Sequence, residues 1–118
     1  MAEFRIKRGL DLRVSGKASK ALSKASKPVT LALQPTEYNS IKPKLLLREG
    51  SLVKGGEAIF INKKDPDVKF VSPVPGKIRE VRYGARRIIE SIVIVPDWDG
   101  DYIEHAIHSS ESIRRLSR

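Results

Sequence analysis

The chain has 118 residues, an apolar content of 40% and a formal net charge of +9. This length fits one compact domain with one modest core. The chain contains no cysteine, which excludes a disulfide framework, thiolate metal sites and thiol catalysis. The most apolar stretch, residues 88–95, is eight residues long and includes Glu90 and Ser91. A membrane-spanning helix needs about twenty apolar residues, so no segment of this sequence is predicted to span a membrane.

The charge is unevenly distributed along the chain. Residues 1–30 hold eight Lys and Arg against two acids, whereas residues 97–111 hold five acids and no Lys or Arg. A basic surface attracts nucleic acid, anionic lipid headgroups or an acidic protein face. The simpler interpretation is a solvated basic surface that maintains solubility.

The first 27 residues contain two different patterns. Residues 4–7 alternate apolar and charged side chains, and the alternation resumes over residues 10–14, so we predict two short strands there. Residues 17–27 contain only Lys, Ala, Ser and Leu. A helix there would have one large apolar residue, Leu22, to bury. We therefore predict a mobile basic loop or one frayed helical turn.

Gly and Pro divide the rest of the chain into short β-forming runs. We predict seven to nine strands in total, which is typical of an all-β sandwich or barrel. The C-terminal residues, from Ser109 or Ser110 onward, have a serine cap and an acid typical of a helix start. The expected strands of this part are 29–33, 45–48, 52–53, 58–61, 68–71, 77–81 and 88–95, with a hairpin tip at 62–67 and a rigid corner at 72–76.

One constellation is more specific than the number of strands. Glu49-Gly50-x-x-Val53-x-x-Gly56 is followed by a strand, a polar tip and Ser72-Pro73-x-x-Gly76-Lys77-Ile78. This spacing resembles the biotinyl/lipoyl-carrier type of barrel-sandwich hybrid, in which glycines allow strands to reverse. The expected structural turn residues are Gly50, Gly56, Pro73, Gly76 and Gly84.

The hairpin tip does not resemble that of a working carrier domain. Residues 62–67 lack the motifs that surround the modified lysine of biotin and lipoyl carriers, and Pro66 stands near the expected lysine. Lys64 is the one candidate target. We therefore expect a hairpin without a prosthetic group.

A longer match covers residues 4–95 in order. It comprises Ile6-Lys7-Arg8-Gly9-Leu10-Asp11-Leu12, Glu37-Tyr38, Lys42-Pro43-Lys44, the constellation above, and the block from Gly84 to Ile94. In these motifs the chain resembles the N-terminal region of the A subunits of bacterial sodium-translocating NADH:quinone oxidoreductases. The C subunits of the related Rnf electron-transport complexes share the sandwich but match the block after Gly84 less well.

The resemblance implies a structural and docking role in a larger complex. Residues 1–108 would form a barrel-sandwich hybrid domain, and residues 109–118 would begin a helix or a linker to a further C-terminal region. The subunit would be peripheral, on the cytoplasmic side of the bacterial inner membrane, in a complex that couples electron transfer from NADH to ubiquinone to sodium export. FAD, FMN, riboflavin and iron–sulfur cofactors are expected in other subunits and none in this segment, with ubiquinone a candidate substrate nearby.

No catalytic, cofactor-binding or metal-binding residue is predicted in this segment, because no nucleophile–base–acid set is visible. The candidate contacts to partner subunits are Lys63, Lys64, Lys69, Arg86 and Arg87. His105 and His108 could share a helical face and bind a divalent metal, but two such histidines are more often surface polar residues.

The alternative function is that of a freestanding basic β-domain that binds nucleic acid. Such a domain would need exposed aromatic side chains for base stacking, and only Tyr83 lies near the candidate cations. We therefore do not expect nucleic acid as a partner.

Overall fold

The computed structural model describes residues 3–5, 7–9 and 11–116. The seven strands within these ranges are β1 (Leu31–Leu33), β2 (Pro43–Leu45), β3 (Leu52–Val53), β4 (Ala58–Asn62), β5 (Asp65–Val71), β6 (Gly76–Tyr83) and β7 (Ile89–Pro96). Two 3-10 helices cover Pro35–Glu37 and Ala85–Arg87, and the one α-helix, α1, covers Ser110–Arg114. The prediction of a mostly β fold with a short C-terminal helix start is confirmed.

The strands form two antiparallel sheets. The four-stranded sheet has the order β1-β7-β6-β3, and the three-stranded sheet has the order β2-β4-β5. Apolar side chains from both sheets meet in one core, as expected for a thin sandwich. The core consists of Val53, Ile59, Phe60, Val74, Ile78, Val81, Ile89, Ile92 and Ile94.

The strand β7 is central because it pairs with β1 on one side and β6 on the other. Its sequence is an almost continuous apolar run, and Ile92 and Ile94 have no exposed surface. Pairing of both edges satisfies its backbone polar groups, so the run can lie against the core. The predicted strand over residues 88–95 is therefore confirmed with a shift of one residue at each end.

Two crossings between the sheets are hydrogen-bonded to each other. The chain passes from β3 to β4 through residues 54–57 and from β5 to β6 through residues 72–75. The Gly56 N–H donates to the Ser72 carbonyl at 2.7 Å, and the Ser72 N–H donates to the Glu57 carbonyl at 2.8 Å. The Ser72 hydroxyl, which is buried, donates to the Val74 carbonyl at 2.6 Å. Both corners of the sandwich are thus held by one small set of bonds.

A glutamate extends the short edge strand β3. This strand pairs with only two residues of β6. Beyond it, the Gly50 N–H donates to the Ile78 carbonyl at 2.7 Å, and the Val81 N–H donates to a carboxylate oxygen of Glu49 at 2.8 Å. The carboxylate takes the place of a strand partner, which explains why a glutamate precedes Gly50 in the constellation.

The two strands predicted near the N-terminus are wrong for the described residues. Within 3–5, 7–9 and 11–30 the backbone forms no strand, and the side chains of Phe4 and Leu12 are 88% and 79% exposed. No sheet edge pairs with these residues, and alternation by itself does not supply a partner. Ile6 and Leu10 lie outside the described residues. Residues 17–27 contain neither helix nor strand and are exposed throughout; their mobility stays a prediction.

The predicted boundaries around β2 and the hairpin are also corrected. The strand expected at residues 45–48 lies instead at Pro43–Leu45, where it pairs with Phe60 to Asn62 of β4. The hairpin turn consists of Lys63 and Lys64 alone, and Pro66 belongs to β5 rather than to the tip. A proline is tolerated there because β5 is an edge strand and the pairing register shifts beside it.

Two kinds of constraint account for the turn glycines. Gly50 and Gly56 have φ of +84°, as expected for glycines at reversals. Gly76 does not have a positive φ; a Cβ there would overlap the Val95 carbonyl of the neighbouring strand. Gly84 likewise has φ of −93°, and its missing side chain leaves room for the Glu90 carboxylate.

We predict that alanine substitutions separate these two constraints. Gly50→Ala should cost about 1 kcal/mol, since open space surrounds it and only the left-handed backbone is strained. Gly76→Ala should cost about 3 kcal/mol or more, because backbone of β7 would have to move. Urea unfolding of both variants measures the difference, and equal costs would contradict the close approach of β6 and β7 at Gly76.

Candidate functional site

The five candidate contact residues lie on both sheets. Lys63 and Lys64 form the turn between β4 and β5, and Lys69 lies on β5. Arg86 and Arg87 belong to the 3-10 helix between β6 and β7 of the other sheet. All five side chains are exposed. The topology therefore decides whether they form one surface.

The hairpin turn and the 3-10 helix lie at the same end of the sandwich. Pro43 of β2 pairs with Asn62 at the hairpin, and the Lys63 N–H donates to the Lys42 carbonyl at 2.6 Å. Pro43 also lines a groove of about 310 Å³ together with Ile88, which directly follows Arg87. The groove thus lies between the two sources of positive charge.

An aromatic cluster positions one wall of this groove. The Phe60 and Phe70 rings stack at a centroid distance of 4.5 Å, and the Tyr38 ring lies 4.7 Å from Phe70. Tyr38 and the segment around it are thereby packed on the three-stranded sheet. The groove is lined by Pro35, Thr36, Tyr38, Asn39, Ser40, Ile41, Pro43, Ile88 and Ile89.

Lys42 and Lys44, which we did not predict, join the same surface. Lys44 pairs with Ile61 from one side and the predicted Lys69 pairs with it from the other, so the three side chains share one face of the three-stranded sheet. Lys42 is bonded to the hairpin through its backbone. We call the following set the basic surface: Lys42, Lys44, Lys63, Lys64, Lys69, Arg86 and Arg87.

The basic surface has no ion pair with the rest of the described chain. Within residues 3–5, 7–9 and 11–116, salt bridges join only Arg82 to Glu80 and Arg115 to Glu111. The hydrogen bond and the charge of Glu80 raise the pKa of Arg82 above its usual value. Four acids lie on the same elements as the basic surface or beside them: Glu37, Asp65, Asp67 and Glu90. With seven cations against four acids, the surface is positive and solvated.

The two arginines have an unusual backbone. Arg86 and Arg87 have φ of 56° and 58°, in the left-handed region that side chains with a Cβ rarely adopt. The turn is closed by the Gly84 N–H, which donates to the Ile88 carbonyl at 2.8 Å. The reversal therefore begins at Gly84, where a turn was expected, and its left-handed backbone falls on the arginines. Strained residues of this kind are concentrated at binding sites.

Another cleft lies at the opposite end of the β6–β7 ribbon. It measures about 610 Å³ and is bordered by Gly76 of β6, Pro96 of β7 and the turn that ends at Asp101. Its ionisable lining is mixed in sign, with Lys54, Lys77, Glu57, Asp97 and Asp101. It therefore offers no single charge to a ligand and contains none of the candidate residues.

The acidic turn at residues 97–101 has a structural explanation, and the two histidines do not share a helix. The Asp99 N–H donates to the Asp97 carboxylate at 3.2 Å, and the Gly100 N–H donates to the Asp97 carbonyl at 3.0 Å, which is turn chemistry. His105 and His108 precede α1 and lie outside any helix, so the shared helical face is not formed. Within residues 3–5, 7–9 and 11–116, no group of three or more His, Asp or Glu side chains could hold a metal ion.

Comparison with known proteins identifies the family. Residues 4–97 match the family model described as the NqrA N-terminal barrel-sandwich hybrid domain. The chain belongs to this family. Both the barrel-sandwich fold and the resemblance to the A subunits of sodium-translocating NADH:quinone oxidoreductases are thereby confirmed.

Relatives in several bacteria are named as the A subunit of Na(+)-translocating NADH-quinone reductase. The chain is 33% identical over 115 residues to that of Alcanivorax borkumensis, covering 98% of this chain and 26% of the relative. It is 35% identical over 112 residues to that of Haemophilus influenzae strain PittEE, covering 95% of this chain and 25% of the relative. It is 35% identical over 114 residues to that of Yersinia pseudotuberculosis strain IP 31758, covering 97% of this chain and 25% of the relative. The chain spans about a quarter of the length of these relatives.

The described part of this NqrA-type N-terminal domain has no helix with the length and apolarity needed to cross a bilayer.

We predict that the turn strain at Arg86 can be measured separately from its charge. Arg86→Gly and Arg86→Ala both remove the guanidinium, but only glycine adopts a φ of 56° without a Cβ. The free energy of unfolding of the glycine variant should therefore be about 0.5–1 kcal/mol higher than that of the alanine variant. Thermal or urea unfolding measures this difference. An alanine variant as stable as the glycine variant would contradict the left-handed conformation.

Proposed function

We propose that this chain is the structural and docking domain of a peripheral A subunit in a Na(+)-translocating NADH-quinone reductase. The family match over residues 4–97 is the observation that carries the proposal. The relatives are named as subunits, which supports other subunits of that complex as partners. The domain would act by contact rather than by catalysis, because the basic surface contains cations without a nucleophile or general base.

The basic surface is the proposed contact with those subunits. Its cations are exposed and belong to turns and strands of a folded sandwich, so they are held in a fixed arrangement. Arrays of fixed charge guide association and set the orientation of a partner more than they add affinity. The apolar groove at its centre offers Ile88, which is 52% exposed, for closer packing. An acidic partner face with one apolar projection would fit both features.

The activity of the whole complex is proposed from the relatives' names. It would couple electron transfer from NADH to a quinone, with ubiquinone the candidate, to the export of sodium. The flavins and iron–sulfur centre would belong to other subunits, and ubiquinone would react near this subunit. The domain would lie at the cytoplasmic face of the inner membrane.

We predict that the basic surface determines capture of the complex in detergent solution. The probe is the detergent-solubilised reductase purified without its A subunit, which is added to the immobilised 118-residue chain. The wild-type chain should retain the other subunits, as identified by mass spectrometry. The surface variant, Lys63→Gln with Lys64→Gln and Lys69→Gln, should weaken capture about tenfold, since each exposed charge pair contributes about 0.2–1 kcal/mol.

A variant of equal charge provides the control. Lys17→Gln with Lys20→Gln and Lys24→Gln also removes three positive charges, but from the segment that lies outside the folded sandwich. It should capture the complex as well as the wild-type chain does. No capture by the wild-type chain, or an equal loss in both variants, would contradict the proposal. Binding of mixed DNA and RNA that survives moderate salt in a gel shift would instead favour the nucleic-acid alternative.

A further inference from the structure

Residues 17–27 form a basic segment outside the sandwich. Every residue from 11 to 30 is exposed, and the one hydrogen bond recorded within residues 17–27 joins the Ala21 N–H to the Ser19 hydroxyl at 3.2 Å. Because all of its residues are exposed, the segment contributes no buried side chain to the core.

The segment is attached to the sandwich at its C-terminal end. The Lys27 ammonium lies 5.2 Å from the centre of the Trp98 ring, within the range of a cation–π contact. Trp98 itself packs against the core. Residues 17–26 are therefore held next to the sandwich at one end, and all of them are exposed.

The lysines of this segment have helical spacing although no helix forms. Lys17, Lys20, Lys24 and Lys27 are separated by three, four and three residues. On an α-helix with 3.6 residues per turn they would occupy one arc of roughly 80°. Ala18, Ala21, Leu22 and Ala25 would fill a neighbouring arc of roughly 100°, and the three serines would fill the remainder. The pattern is thus that of a helix with one lysine face.

The reasons why residues 17–27 form no helix also indicate what kind of binding surface would induce one. An isolated helix of this length is marginal in water, and Lys17 and Lys20 would lie at its positive N-terminal end, where they are unfavourable. An anionic surface facing the lysines would remove that repulsion.

We propose that residues 17–27 bind an anionic lipid bilayer and become helical on it. This inference rests on the proposed function, which puts a membrane beside the domain. A bilayer fits better than an acidic protein, because the segment offers only Lys, Ala, Ser and Leu. Protein interfaces rely on aromatic and arginine anchors, whereas a charged membrane attracts lysines without specific geometry, at about 1 kcal/mol each.

Co-sedimentation with vesicles tests the proposal. The 118-residue chain should bind vesicles of phosphatidylethanolamine with phosphatidylglycerol, and not vesicles of phosphatidylcholine alone. Its helix content, measured by circular dichroism, should rise on the anionic vesicles. The variant with Lys17→Gln, Lys20→Gln and Lys24→Gln should lose roughly 10- to 100-fold in binding.

The surface variant at Lys63, Lys64 and Lys69 is the matched control, since both variants lower the formal net charge from +9 to +6. It should bind anionic vesicles within about twofold of the wild-type chain, because its lysines lie outside the segment. Equal losses in the two variants, or binding without a gain in helix, would overturn the proposal. Loss of subunit capture in detergent by the Lys17, Lys20 and Lys24 variant would overturn it too, since the segment's partner would then be a protein.

The two assays fail independently. The capture experiment contains no bilayer, so it tests the docking function alone, and the vesicle experiment contains no other subunit. If the chain captures no subunits but its vesicle binding depends on residues 17–27, the domain binds membranes and its protein partner is a different one. Thermal unfolding of both variants should match that of the wild-type chain, because each substituted side chain is exposed.

Discussion

The backbone hydrogen bonds between Gly56, Glu57 and Ser72 hold two crossings of the chain together, and the sandwich depends on them. At these crossings β3 leads into β4 and β5 leads into β6, so the bonds continue the β4–β5 pairing and hold the two corners side by side where the chain changes sheets. Gly56 reaches its position through a left-handed backbone. Ser72 is buried and uses its hydroxyl to hold the following corner. These bonds thus fix the two corners beside the core that both sheets share.

The same arrangement determines which charges meet. Because β4–β5 and β6–β7 are long hairpins on opposite sheets, their turns project from the end of the sandwich where β2 begins. Lysines of one turn and arginines of the other then lie on either side of one groove. The basic surface follows from this topology, whereas residues 17–27 carry their charge outside it. The protein therefore carries its positive charge in two places, on the folded sandwich and on the exposed residues 17–27.

The sequence predicts the features that depend on local chemistry. The strand around Ile92, the serine cap of α1 and the reversals at Gly50 and Gly56 follow from nearby residues alone, and the structure contains them. The family motifs also identified the sandwich. The alternation near the N-terminus misled us, because a strand needs an edge to pair with and a periodic pattern does not reveal whether one exists.

Other features were missed because they depend on residues distant in sequence. Lys44 joins the basic surface through pairing of β2 with β4, and its place in a Lys-Pro-Lys motif did not indicate that. Gly84 begins a turn as expected, but its motif did not indicate that Glu90 occupies the space beside it or that the left-handed backbone falls on Arg86 and Arg87. The role of Glu49 as a substitute strand partner for Val81 was likewise not apparent from its motif.

Hydrogen exchange of the backbone amides tests the central claim, that the bonded crossings make the two sheets one cooperative unit. The amides of Gly56 and Ser72 should exchange with the same free energy of opening as core amides of β4 and β7, because opening either crossing would require global unfolding. Residues 17–27 should exchange without protection. Exchange of the three-stranded sheet at a clearly lower free energy than the four-stranded sheet would contradict the claim.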